Sequence, residues 1–318
     1  MAHGHHHHHV DPEAGDTRVA LAVGVNLALT AAQIAGGVVA GSLALIADAL
    51  HNFSDAISLV IAFAARKIAR RPSDAAMTFG YGRVEVVAAL INYTTLIVIG
   101  LYLAYEAVLR FIEPQGVDGW IVVVIAAVAL VIDTVTALLT YALSKESVNI
   151  RAAFLHNVAD ALGSVAVIVA GSLILLYDWR LVDPLVTLAI AGYILWQSFA
   201  EIGGVIRILM LGSPPDIRTD AVLERIETVE GVASIHHAHF WQMDEHENAL
   251  DVHLVIDRGA WDHADDVKAR VKALLAEEFG IGHSTLEMEC SLHACHDADR
   301  IGHDGHGDGH HDGHAHAR

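Results

Sequence analysis

Apolar residues gather into six long runs in the first part of the chain and into short stripes and alternations after Gly212. The long runs span approximately Val19–Val39, Ser42–Ala65, Val84–Leu109, Val117–Leu143, Ala152–Tyr177 and Pro184–Met210. Each reaches the roughly 20 residues that a helix needs to cross a bilayer. The first two are joined by the short VAGS turn and form a hairpin, with Gly36, Gly37 and Gly41 allowing close helix approach. Past Gly212-Ser213-Pro214-Pro215 the pattern is that of a small soluble domain. Thr219–Val229 reads as helix, Val232–Met243 and Ala249–Asp257 as strands, Asp262–Phe279 as an amphipathic helix, and Ser284–Ser291 as a third strand. The expected fold class is an α-helical membrane protein of six spans with a small α+β domain of order α-β-β-α-β, ferredoxin-like. Its divisions are a His-rich tail (1–17), the membrane domain (18–211), the α+β domain (212–292) and a His/Asp/Gly-rich tail (293–318). A domain of about 80 residues is marginal alone, so pairing with a second subunit is expected.

Composition agrees with that division. The chain is 54% hydrophobic and 18% charged, with a mean hydropathy of +0.44, as suits a membrane protein that carries a soluble part. The net charge of −19 is unevenly placed: from Ser213 onward 22 acidic residues face 8 basic ones. An acidic tail disfavours nucleic acid and attracts cations. Fourteen of the 23 histidines lie in MAHGHHHHH and between His293 and His316. The N-terminal cluster matches an added tag and is kept out of fold reasoning, whereas HDGHGDGHHDGHAHAR is metal-capturing by composition. Cys290 and Cys295 read as thiols or soft metal ligands in a reducing compartment. The first long run exceeds a secretory signal and lacks a small-residue cleavage pattern, so it counts as a span. Arg66, Lys67, Arg70, Arg71 and Arg83 crowd the loop between the second and third spans, and Lys145 and Arg151 follow the fourth. Positive-inside then places both termini in the cytoplasm of a multi-pass protein of the cell membrane.

Chemistry enters with a repeated motif. ALIADALHNFSDAISL holds His51 and Asp55, and RAAFLHNVADALGSVAV holds His156 and Asp160. Each pair is spaced i, i+4, which puts both side chains on one helix face. Two such helices present two imidazoles and two carboxylates to one point, a donor set that suits tetrahedral Zn2+. Ionisable groups in hydrocarbon cost free energy, so their placement there points to function. Asp48, one turn before His51, and Asn26 in the first span are candidates for orienting the ligands or lining the same cavity. A metalloprotease would need an H-E-x-x-H motif with a general-base Glu, which the sequence lacks. A membrane-anchored metal sensor or store would have no need of ligands inside the spans.

SLALIADALHNFSDAISL, FGYGRVEVVAALIN, HNVADALGSVAV and IHHAHFWQ together resemble the cation diffusion facilitators, over nearly the whole chain between the tails. The resemblance implies a homodimeric zinc transporter in the lipid bilayer that exchanges M2+ for H+ by alternating access. His51, Asp55, His156 and Asp160 would be the transport site. A His at the first ligand position resembles the zinc-selective members, with Cd2+, Co2+ or Ni2+ as alternative substrates. The resemblance also implies a regulatory zinc site in the soluble domain, built from His236, His253, Glu287 and Glu289, with His263 as a further ligand and Cys290 and Cys295 as added thiolates. His237 and His239 are expected to point elsewhere. Asp133 departs from the neutral amide common in the family, which makes it a candidate for proton coupling. A loop metal site of some relatives keeps only Asp74 here, with Met77 and Tyr81 at the matching positions, so no metal is expected there.

Overall fold

Backbone N–H and C=O groups in hydrocarbon find no water, so each long apolar run closes its hydrogen bonds internally as a helix. The computed structural model describes residues 12–143, 148–295 and 298–302, with the side chains of 12–23, 59, 139–143, 148–153 and 156 outside that description. The runs form α1 (Pro12–Ala40), α2 (Leu43–Ala69), α3 (Arg83–Ile112), α4 (Gly119–Leu143), α5 (Val148–Tyr177) and α6 (Val182–Leu209). Among the described residues α2 to α6 are each long and apolar enough to span a membrane, and Gly24–Ala40 is a shorter apolar helix. The helices fall on the expected runs but extend past some of their ends, α1 starting at Pro12 and α5 at Val148.

Packing divides the described chain into two units. One holds residues up to Lys67 together with Val87–Gly203; the other holds Ile68–Val86 and the chain from Gly204 onward. The loop between α2 and α3 thus groups with the C-terminal part, where Arg83 Nε donates to the Met243 carbonyl at 2.9 Å. In the first unit, Ala40, Ala44, Leu45, Val122, Ala126 and Val167 form one buried cluster. Leu43, Ala47, Leu103, Ala107 and Ala191 form a second, which ties α2 to α3 and α6. The α1–α2 turn is sharp. Ser42 N–H bonds the Gly37 carbonyl at 2.9 Å, and Ser42 Oγ accepts from Leu45 N at 3.1 Å, capping α2. Gly41 adopts φ +70°, and a Cβ there would stand 2.6 Å from the Gly116 carbonyl oxygen.

The second unit contains α7 (Thr219–Glu227), β1 (Val232–Gln242), β2 (Asn248–Ile256), a 3₁₀ turn (Trp261–His263), α8 (Ala264–Phe279) and β3 (His283–Cys290). The helix expected from Asp262 therefore begins as a 3₁₀ turn. The sheet order is β1-β2-β3, with β1 antiparallel to β2 and β3 parallel to β2. A parallel pair needs a crossover, and α8 supplies it. Leu250, Val252, Leu254 and Ile256 alternate along β2 and pack with Val222, Leu223 and Ile226 of α7 and Val267, Val271 and Leu275 of α8. Both helices therefore cover one face of the sheet. The intervening positions, among them His253, lie on the other face. After β3 the chain returns to β1: His237 N–H donates to the Asp299 carbonyl and Ala238 N–H to the Arg300 carbonyl, at 2.9 and 3.1 Å. Arg300 also pairs with Glu227 at 2.8 Å.

A Gly41→Ala change meets both the left-handed backbone and the Gly116 carbonyl. We expect it to cost about 1–3 kcal/mol, read as a lower unfolding temperature of the detergent-solubilised protein. An unchanged temperature would mean that the turn tolerates a side chain.

Candidate functional site

In the first unit, α2 and α5 bring their motifs together. His51 Nε2 lies 3.7 Å from Asp55 Oδ2 and 3.5 Å from Asp160 Oδ1. One ligand atom from each of the three falls within 4.8 Å of the others. His156 sits one helical turn before Asp160 on α5, and its side chain lies outside the described residues. The three groups border a cavity of about 480 Å³ that is also lined by Asn26, Asn52 and Asn157. Its walls run from His51 to Ala62 on α2, Asn92 to Leu96 on α3 and Ile194 to Ser198 on α6. On α2 these residues lie C-terminal to Asp48, and on α3 they lie in its N-terminal half.

Two further carboxylates stand behind the ligands. Asp48 is buried at 3% exposure and accepts a 2.8 Å hydrogen bond from Gln33 Nε2. It fits against α5 because Gly163 has no side chain; a Cβ there would come within 3.1 Å of Asp48 Oδ1. Asp133 of α4 accepts from Ser164 Oγ of α5 at 2.9 Å. The sequence reading missed Gln33, a fully buried amide in an apolar helix, although an amide in such a run is itself a signal. It also missed Tyr193, whose ring meets His51 edge-on at 6.0 Å, and no periodicity marks that residue.

The second unit holds another convergence, on the open face of its sheet. His236 is registered with His253, and His253 with Glu287, so the three form a row across the strands. His253 Nδ1 is hydrogen-bonded to Glu289 Oε1 at 2.7 Å, and its Nε2 lies 3.2 Å from Glu287 Oε2. His236 Nε2, buried and without a hydrogen bond, lies 3.3 Å from Glu289 Oε2. His237 joins them, contrary to the expectation that it points elsewhere. The rings of His236, His237 and His253 are mutually 5.0 Å apart. The cause is a bulge: His237 and Ala238 together oppose Val252, with His237 at φ +50°. The extra residue turns two consecutive histidines to the open face and returns Ala238 and Phe240 to the core.

Cys295 completes this set, with a ligand atom within 4.8 Å of those of the three histidines. Its backbone N–H donates to Glu289 Oε2 at 3.2 Å. Burial alone would push the Glu289 carboxyl up, but bonds from His253 and Cys295 and the two imidazoles hold it below the ordinary value of 4.5. Cys290 stands apart, its sulfur 3.1 Å from His293 Nδ1, a contact that lowers the thiol's pKa. His263 is not brought to the cluster. It stands exposed on the 3₁₀ turn of the helix layer, 3.7 Å from Asp266. In the α2–α3 loop, Asp74 accepts from Tyr81 Oη and from the Ala76 and Met77 amides, each at 2.8 Å.

Two family models match the chain in sequence: the cation efflux transmembrane domain over residues 19–210 and the cation efflux protein cytoplasmic domain over residues 214–291. The chain belongs to the cation diffusion facilitator family. It is similar to other cation diffusion facilitators across most of its length. A "Cadmium, cobalt and zinc/H(+)-K(+) antiporter" of Bacillus subtilis is 36% identical, over 81% of this chain and 84% of the relative. The "Metal cation efflux system protein CzcD" of Cupriavidus metallidurans is 33% identical over 95% and 94%. The "Zinc transporter ZitB" of Escherichia coli is 30% identical over 94% and 95%. This cation diffusion facilitator is accordingly a multi-pass metal cation efflux transporter and not an enzyme.

His253 is common to both ligand sets of the sheet, so His253→Ala should lower the zinc bound per purified full-length chain, measured by elemental analysis. Unchanged stoichiometry would exclude the cluster as a metal site. Acid should act on the metal-free protein through Glu289. A folded pKa below 4.5 means that its contribution is present above that value and is lost as pH falls beneath it. Glu289→Gln should flatten this acid limb in a pH series of unfolding midpoints.

Proposed function

We propose that the protein exports Zn2+ from the cytoplasm in exchange for protons, by alternating access through His51, Asp55, His156 and Asp160. The observation that carries this reading is the convergence of His51, Asp55 and Asp160 at the head of a cavity between membrane-spanning helices. Two carboxylates balance the charge of a divalent ion, and imidazole nitrogens favour zinc over harder ions such as Mg2+ or Mn2+. The same donors admit Cd2+, Co2+ and Ni2+, and the Bacillus subtilis relative is named for cadmium, cobalt and zinc.

Proton coupling follows from the ligands themselves. Each must be deprotonated to bind metal, so bound metal and bound protons compete for the same site. Imidazole exchanges one for the other near neutral pH. Protons arriving from the far side would displace Zn2+ there, and the proton gradient would drive export. Asp133, one hydrogen bond from α5, is a further carboxylate near enough to influence this exchange. The basic loop between α2 and α3 supports a topology in which that loop and both termini face the cytoplasm. The protein works as a homodimer, joined through its C-terminal domains. In those domains His236, His237, His253, Glu289 and Cys295 would hold a regulatory zinc ion, whose affinity for N and S donors fits this set.

The deciding experiment is Zn2+ uptake into proteoliposomes under an imposed pH gradient, with Asp55→Ala alongside. Gradient-driven flux should appear in the parent protein and fall to background in the variant. Flux indifferent to the gradient would exclude antiport, and no flux from a folded parent would favour a metal sensor or store. Asp133→Asn should shift the pH dependence of that flux while the metal is still carried, and an unshifted profile would remove Asp133 from the coupling.

A further inference from the structure

At the end of the bundle away from the cavity, one carboxylate gathers three helices. Asp183, in the first turn of α6, has no exposure. Its Oδ1 accepts from Ser42 Oγ at 2.5 Å and from Ala44 N at 3.3 Å, and its Oδ2 accepts from Leu43 N at 2.8 Å. These donors are the cap and first turn of α2, where unpaired N–H groups and the helix dipole favour an anion. The last turn of α3 contributes Arg110, whose Nη1 lies 3.5 Å from Asp183 Oδ2 and donates to the Gly41 carbonyl at 2.5 Å. Glu106 faces Arg110 from the other side at 3.7 Å.

Next to this network the helices are closely packed. Leu43 and Ala47 of α2, Leu103 and Ala107 of α3 and Ala191 of α6 form one buried apolar cluster, and on α2 its residues lie between Ser42 and His51. Nine residues of helix correspond to about 14 Å. A path for metal between α2, α3 and α6 toward this end would require these helices to part here.

We propose that Asp183, held by Ser42, the first amides of α2 and Arg110, is the latch that closes the far end of the transport path. The inference rests on the alternating-access reading and adds the residues that set its closed state. The chemistry suits a latch better than an apolar plug would. Desolvation offsets much of the attraction within a buried ion pair, so its net contribution to the closed state is modest. Once water reaches them, Asp183 and Arg110 are hydrated and the open state is also well solvated. Such a contact has two acceptable states, dry and paired or wet and separate. In this role Asp183 is a positioning residue, because its partners are Ser42, the first amides of α2 and Arg110 rather than the His51 cluster.

The test reads both ends of the path by thiol labelling in proteoliposomes, with Cys290 and Cys295 replaced by Ser throughout. Ala191→Cys reports the sealed end, and Gln197→Cys reports the cavity wall. Adding Asp183→Asn should speed labelling at position 191 by a membrane-impermeant reagent about tenfold, equal to about 1.4 kcal/mol in the latch equilibrium. Labelling at position 197 should slow in parallel. Unchanged rates at both positions, with only a lower unfolding temperature, would reduce Asp183 to a helix cap and overturn the proposal.

A second variant guards against misfolding. Ser42→Cys with Asp183→Cys, bridged by a short reducible cross-linker, should still bind Cd2+ in the cavity but carry none until reduced. Transport by the bridged form at the reduced rate would overturn the latch while leaving the transport reading intact. Absence of gradient-driven flux from the unmodified protein would instead count against the transport reading itself.

Discussion

An ionised side chain within a membrane must be given water, a metal, a proton or a counter-charge, since at a helix centre it costs roughly 2.5–3.5 kcal/mol even on lenient scales. The helices of the first unit are arranged so that each carboxylate meets one of these demands. Asp55 and Asp160 share an imidazole and a cavity. Asp48 takes a buried amide from α1, and Asp133 takes a hydroxyl from α5. Asp183 takes the start of α2 and a guanidinium. Satisfying these groups ties α2 to α1, α5 and α6, and brings in α3 through the contact of Arg110 with Asp183. The helix that carries His51 and Asp55 is therefore also one on which these polar contacts converge.

Both ligand clusters use the same donor types but depend on different periodicities. On α2 and α5 a spacing of four repeats the face, and two helices supply the site. On the sheet a single residue from each of β1, β2 and β3 reaches the same row, and an irregularity adds a further imidazole. The helical site thus depends on how two separate helices pack, whereas the sheet site is set by the hydrogen-bonded register of its strands.

Much of this was legible in the sequence because hydrocarbon permits so few alternatives. Six apolar runs gave six helices with small errors at their ends, and the order of strands and helices after Gly212 followed from alternation and stripes. The repeated spacing of His and Asp exposed the helical cluster as far as His51, Asp55 and Asp160. His237 was misread because strict alternation sends it to the core. The pattern of Ile235, Ala238 and Phe240 breaks that alternation by one residue, and a bulge was the physical remedy. The contacts of Asp183 and Arg110 with the start of α2 were not legible. They join positions 140 and 69 residues apart in the chain, and nothing local records them. His263, which the family resemblance implied as a further ligand, stands instead on the 3₁₀ turn that leads into α8, away from the histidine row.

The return of the chain along β1 has a consequence for self-association. An edge strand offers unpaired N–H and C=O groups to any similar strand, which makes it a template for uncontrolled pairing. Here the bulge disrupts β1's pairing to β2, and the His237 and Ala238 amides are taken by residues Asp299 and Arg300 instead. Ile301 lies parallel to Ala238, and Gly302 N–H returns a bond to the Ala238 carbonyl. That stretch of β1 is therefore already occupied by its own chain. A second copy adding a strand at this stretch would first have to displace residues 299–302.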